Sequence, residues 1–92
     1  MFDRILKAAS KLGEPHEVLA ELLKSYVLAR IAEFTLIVRK FERKYGVTFE
    51  EFERLNMLDR LGHTWEVEQD YMEWDRAVTE LRKLEEILAD LE

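Results

Sequence analysis

Residues 25–46, SYVLARIAEFTLIVRKFERKYG, decide the fold. Val27, Ile31, Phe34, Val38, Phe41 and Tyr45 recur in alternating steps of four and three, the spacing of one helix face. Leu28, Ala32 and Leu36 form a second apolar stripe beside it. Gly46 ends the run, because glycine takes up the left-handed conformation that closes a helix without a Cβ clash. Backward from Tyr26, the pattern continues through Leu23, Leu22 and Leu19 to Pro15, which suits a helix start where its missing N–H costs nothing. The pattern predicts a helix over about 16–45, roughly 45 Å long at 1.5 Å per residue.

The flanking segments are helical too. Upstream, Phe2, Ile5, Leu6, Ala9 and Leu12 mark a short helix over about 2–12, ended by Gly13. Downstream, Thr48-Phe49-Glu50-Glu51 reads as a capping box, with Thr48 and Glu51 each accepting a free backbone N–H. It opens a second short helix over about 49–61 that stops at Gly62. Thr64 then caps a helix over about 65–91, whose stripe is Val67, Tyr71, Trp74, Val78, Leu81, Leu84, Leu88 and Leu91. No stretch alternates as a strand does. A compact chain of this length has a radius of gyration of about 12 Å, and two 40–45 Å helices do not fit within it. The expectation is an all-α, single-domain chain over 1–92: an elongated antiparallel hairpin of two long helices with two short ones alongside. Such a shape has too little interior for all its apolar residues, so one copy is expected to need a partner. The second stripe, Leu28, Ala32 and Leu36, is the expected oligomer interface.

Composition narrows the function classes. The chain of 92 residues has no cysteine, three glycines and one proline, which excludes disulfide scaffolds, zinc ribbons and glycine-rich phosphate loops. Ser25–Val38 holds ten hydrophobic residues in fourteen, too few for a membrane span, and carries Arg30 and Glu33 near its middle. The N-terminus shows no signal-peptide pattern, so a cytoplasmic location is expected. Charge is unevenly spread. Residues 1–46 carry nine Lys/Arg and six Asp/Glu; residues 47–92 carry five and fourteen. An acidic half suits a basic partner and repels nucleic acid.

Little in the chain points to catalysis or a cofactor. His16 and His63 lie in predicted turns, neither has a Glu three residues earlier, and Ser10 and Ser25 lack a nearby base. Glu14-x-x-Glu17 and Glu50-x-x-Glu53 resemble half of the Mg²⁺-binding pattern of all-α nucleotide pyrophosphohydrolases, but no Glu-x-x-Asp completes it. Glu66, Asp70 and Glu73 share a face of the last helix, with Glu68 and Asp75 on adjacent stripes. Trp65, Tyr71, Met72 and Trp74 interleave with these acids. Tyr71 and Trp74 share the apolar stripe, so packing against the long helix competes with presentation to a partner. Arg39, Lys40, Arg43 and Lys44 form the one basic cluster. Cations at a helix C-terminus are explained by the macrodipole, and nucleic-acid contact is the weaker reading.

The run Phe41-Glu42-Arg43-Lys44-Tyr45-Gly46-Val47-Thr48-Phe49-Glu50-Glu51-Phe52-Glu53, echoed by Asp70-Tyr71-Met72-Glu73-Trp74, resembles a signature of short all-helical antitoxin-like proteins of archaea and bacteria encoded beside small toxins. The likeness covers roughly residues 17–91. It implies a non-catalytic antitoxin that neutralises a small basic toxin through Trp65, Glu66, Glu68, Asp70, Tyr71, Met72, Glu73, Trp74 and Asp75. The alternatives are a homodimeric helical scaffold with no toxin partner and, third, a Mg²⁺-dependent pyrophosphohydrolase.

Overall fold

A computed structural model describes residues 2–92. Its helices are α1 (Phe2–Ala9), α2 (Pro15–Tyr45), α3 (Phe49–Arg54), α4 (Met57–Arg60) and α5 (Trp65–Leu91), and the described residues contain no strand. Helices α2 and α5 pack along each other and run antiparallel, since Lys44 meets Glu66 near one end and Lys24 approaches Glu92 at the other. The radius of gyration is 18.6 Å and the molecule measures 57 × 24 × 16 Å, so the elongation expected from helix length is present.

The boundaries have local causes. Glu14 caps α2 by accepting the Glu17 N–H at 2.8 Å, and Pro15 follows at the first helical position. Gly46, at φ 73°, closes the same helix by donating to the Glu42 carbonyl. Both halves of the capping box form: the Glu51 N–H donates to the Thr48 hydroxyl oxygen (3.2 Å) and the Thr48 N–H to the Glu51 carboxylate (3.0 Å). Thr64 accepts from the Val67 N–H and starts α5.

Two boundaries differ from the periodicity. The first helix stops at Ala9, not near Leu12, because the chain tightens into a turn whose Lys11 and Leu12 N–H groups reach back only three residues. Leu12 is left exposed. The expected helix over 49–61 is two, α3 and α4, parted at Asn56 in the left-handed region (φ 54°). Asparagine adopts that conformation more readily than other non-glycine residues. The break turns α4 so that Met57 and Leu58 pack onto the core.

The core is one seam with two segments. At the turn end, Phe41, Phe49, Phe52, Trp74 and Val78 are buried together. Farther along, Val27, Phe34, Ala77 and Leu84 continue the seam. Val27, Phe34 and Phe41, seven residues apart, form the buried ridge of α2. Trp74 is 0% exposed. Its ring is offset-stacked on Phe41 (5.7 Å) and Tyr45 (5.8 Å) and meets Phe49 and Phe52 edge-on at 5.4 and 5.3 Å. Replacing Trp74 by Ala is expected to cost about 3–5 kcal/mol, whereas Trp65→Ala, at an exposed position, should stay within about 0.5 kcal/mol. Urea denaturation followed by circular dichroism measures both.

Candidate protein-interaction surfaces

The start of α5 carries the acidic and aromatic residues of the expected partner surface, and the fold divides them. Trp74 lies in the core and is closed to a partner. Tyr71 is half-buried, stacked on Phe49 and Phe52, and its hydroxyl donates to Glu53 at 2.8 Å. That hydrogen bond, with burial second, pushes the phenol up to about 12. Glu66, Asp70 and Glu73 face α2. The Lys44 ammonium donates to Asp70 (2.5 Å) and Glu66 (2.7 Å), and Lys40 reaches Glu73 at 3.4 Å. The Tyr45 hydroxyl also donates to Asp70, at 2.6 Å. These contacts turn the acidic face and the basic cluster toward each other, so part of the charge asymmetry is neutralised within the chain.

The ionisation of this cluster follows from its geometry. Burial pushes the Tyr45 phenol up to about 12, and its bond to the Asp70 carboxylate adds to the shift. The hydrogen bonds it donates to Asp70 first and Glu66 second hold the Lys44 ammonium well above its usual value. For Asp70, burial acts to raise the value, but the bonds from Lys44 and Tyr45 outweigh it and hold the carboxyl below its ordinary 3.8. A value depressed by folding gives stability that is complete above the unfolded value and lost as pH falls through the folded one. Asp70→Asn is therefore expected to cost about 1 kcal/mol at pH 7, after allowance for solvent screening. It should also flatten the loss of stability below pH 4, read as thermal midpoint against pH.

Six members of the expected partner set are exposed; Glu66 and Glu73 are tied to lysines of α2, and four others are not. Trp65 is 77% and Met72 63% exposed, and their spacing of seven places them one above the other on α5. Glu68 and Asp75, also exposed, flank them. Glu68 additionally accepts from His63 Nδ1 (3.2 Å), while the other ring nitrogen of His63 bonds Asp59. The bond to Asp59, then that to Glu68, raises the imidazole above 6.5. Since the raised value favours the protonated ring, this turn is most stable at mildly acid pH and weakens as pH rises through the folded value. An NMR titration of His63 should show a midpoint above 6.5, and Asp59→Asn should lower it.

Of the basic cluster, Lys40 and Lys44 are engaged by acids of α5; Arg39 and Arg43 are exposed and form no ion pair among the described residues. The nucleic-acid reading thus loses half its cations to the fold. The two Glu-x-x-Glu pairs sit at or beyond opposite ends of the long α2, roughly 45 Å apart, and three of the four side chains are engaged: Glu14 caps α2, Glu50 accepts from Arg82 and Glu53 from Tyr71. No group of three or more His, Asp or Glu side chains is placed to hold a metal among the described residues. A depression of about 150 Å³ is lined by Phe52, Glu53, Asn56, Leu58 and Tyr71, smaller than the usual 300–1,000 Å³ of a small-molecule site.

The expected oligomer stripe is open to solvent. Leu28 is 46% and Leu36 65% exposed, Ala32 is exposed, and Leu22 continues the row at 57%. Helix α1 packs against α2 but leaves this row uncovered. The paired Lys44–Asp70–Tyr45 cluster escaped the sequence reading, because it depends on the register of α5 against α2. Set against protein-family models, curated proteins and solved structures, the chain matches none.

Proposed function

We propose that this chain is a non-catalytic, antitoxin-like protein that acts in the cytoplasm by binding a small basic protein. The observation that carries the reading is the exposed Trp65–Met72 pair on α5, with Glu68 and Asp75 beside it. Large amphipathic side chains of this kind anchor interfaces, and flanking carboxylates steer a cationic partner toward them. The likeness of residues 41–53 to the antitoxin-like signature, with its echo at 70–74, supplies the class of partner. No helix of the described residues is long and apolar enough to cross a membrane, which is compatible with this setting.

The proposed contact set is narrower than the full acidic-aromatic run. Trp65, Glu68, Met72 and Asp75 contact the partner; Glu66, Asp70, Tyr71, Glu73 and Trp74 build and hold the helix that presents them. The test is co-expression with the protein encoded by the neighbouring gene, followed by affinity purification at low salt. Binding should weaken with added salt, and Trp65→Ala should reduce affinity by roughly 30-fold, the scale of an interface hot spot. Because Trp65 is exposed, the variant keeps its helical signal. Failure of the wild-type proteins to associate at low salt overturns the reading.

A further inference from the structure

We propose that two copies of this chain associate through the outer face of α2 as an antiparallel, two-fold symmetric pair centred on Ala29. On this face, opposite the core, Leu22, Ala29 and Leu36 lie seven residues apart, with Ser25, Leu28 and Ala32 between them. All six are exposed. Along the middle line of the face the large Leu22 and Leu36 stand at the ends and the small Ser25, Ala29 and Ala32 between them, with Leu28 at the edge, so two such helices can approach closely at their centres. The charged residues of this stretch are turned to their own chain: Arg30 donates to Glu33 at 2.6 Å and lies over the Phe34 ring, and Lys24 approaches Glu92. The row between Leu22 and Leu36 is apolar apart from the Ser25 hydroxyl, with Glu33 exposed along its edge beside Ala29 and Leu36.

Charge selects a second copy as the occupant and sets its direction. Glu21 and Arg39 flank the same edge of the row at its two ends, and neither has an ion pair among the described residues. A two-fold axis at Ala29 places Leu22 of one copy level with Leu36 of the other and Ser25 level with Glu33, one residue past Ala32, while Leu28 lies one residue from the axis. The same axis brings Glu21 to Arg39 twice. A parallel pair would instead place the Glu21–Arg39 edge of each copy on opposite sides of the interface, out of reach of one another, and both ion pairs would be lost. The overlap from Glu21 to Arg39 is about 27 Å long. This surface lies on a different helix from Trp65 and Met72, so the pairing stands or falls apart from the partner reading above.

Sedimentation equilibrium of the full chain between about 1 and 100 μM tests the association. A dimer of twice the 11.0 kDa chain mass is expected, and Leu36→Glu should convert it to a monomer with unchanged helical content. The register is tested separately. Glu21→Arg alone should weaken the dimer at least tenfold, and Glu21→Arg combined with Arg39→Glu should restore it. The chain has no cysteine, so single cysteines report on geometry: under oxidation Ala29→Cys should form a covalent dimer. Leu22→Cys should crosslink with Leu36→Cys and not with itself. A monomer throughout the concentration range overturns the proposal, as does a dimer indifferent to Leu36→Glu. Self-crosslinking of Leu22→Cys, or a double charge swap that fails to restore association, overturns the antiparallel register.

Discussion

The structure depends on the enclosure of one indole. Trp74 projects from α5 into a cage made by Phe41 and Tyr45 of α2 and by Phe49 and Phe52 of α3. Three helices therefore meet on a single side chain, and the short α3 owes its place to that contact. The indole N–H has no acceptor among the described residues, a cost of about 1–3 kcal/mol that ring stacking and burial must offset. The local devices at the turn end deliver the chain to this cage: the left-handed Gly46 that returns it, the capping box that starts α3, and the Asn56 break that folds α4 inward.

The polar contacts are arranged around the same point. Asp70 lies one turn before Trp74, and Tyr45, which stacks on the indole, donates its hydroxyl to Asp70. Lys44 joins Asp70 from the neighbouring position on α2. Once Trp74 is seated, the register of α5 on α2 is set, and the acidic stripe falls opposite the basic one. Charge pairing of this kind adds little energy at an exposed surface. Its consequence is selective: a register slip would leave Asp70, itself largely covered, without its donors.

The far end of the molecule has no such cage. There α2 and α5 run on with smaller contacts, α1 folds against α2, and Phe2, Leu12, Leu22, Leu23 and Tyr26 stay exposed. A slender hairpin 16 Å thick in its smallest dimension has two outer faces for each inner one. Apolar residues in excess of one seam must lie outside, and this chain carries them on both long helices. The proposed partner contact on α5 and the proposed self-association on α2 are two uses of that surplus.

Sequence periodicity alone was enough to determine the two long helices, the caps at Thr48 and Thr64, the stop at Gly46 and the elongated all-α hairpin, because each depends on neighbours within a turn or on helix length. The exposure of Leu28, Ala32 and Leu36 was legible for the same reason: they lie off the stripe that must face α5. Only the tertiary structure decided the rest. Periodicity put Tyr71 and Trp74 on the apolar stripe and left Met72 off it, but it did not say whether the stripe's aromatics were packed or offered to a partner. The rotation of α5 about its own axis puts Trp74 in the cage and Met72 in solvent. Likewise, Lys44 and Asp70 are 26 residues apart, and no local rule connects them. Whether a charge is free for a partner depends on what the opposite helix presents to it, and that is a property of packing.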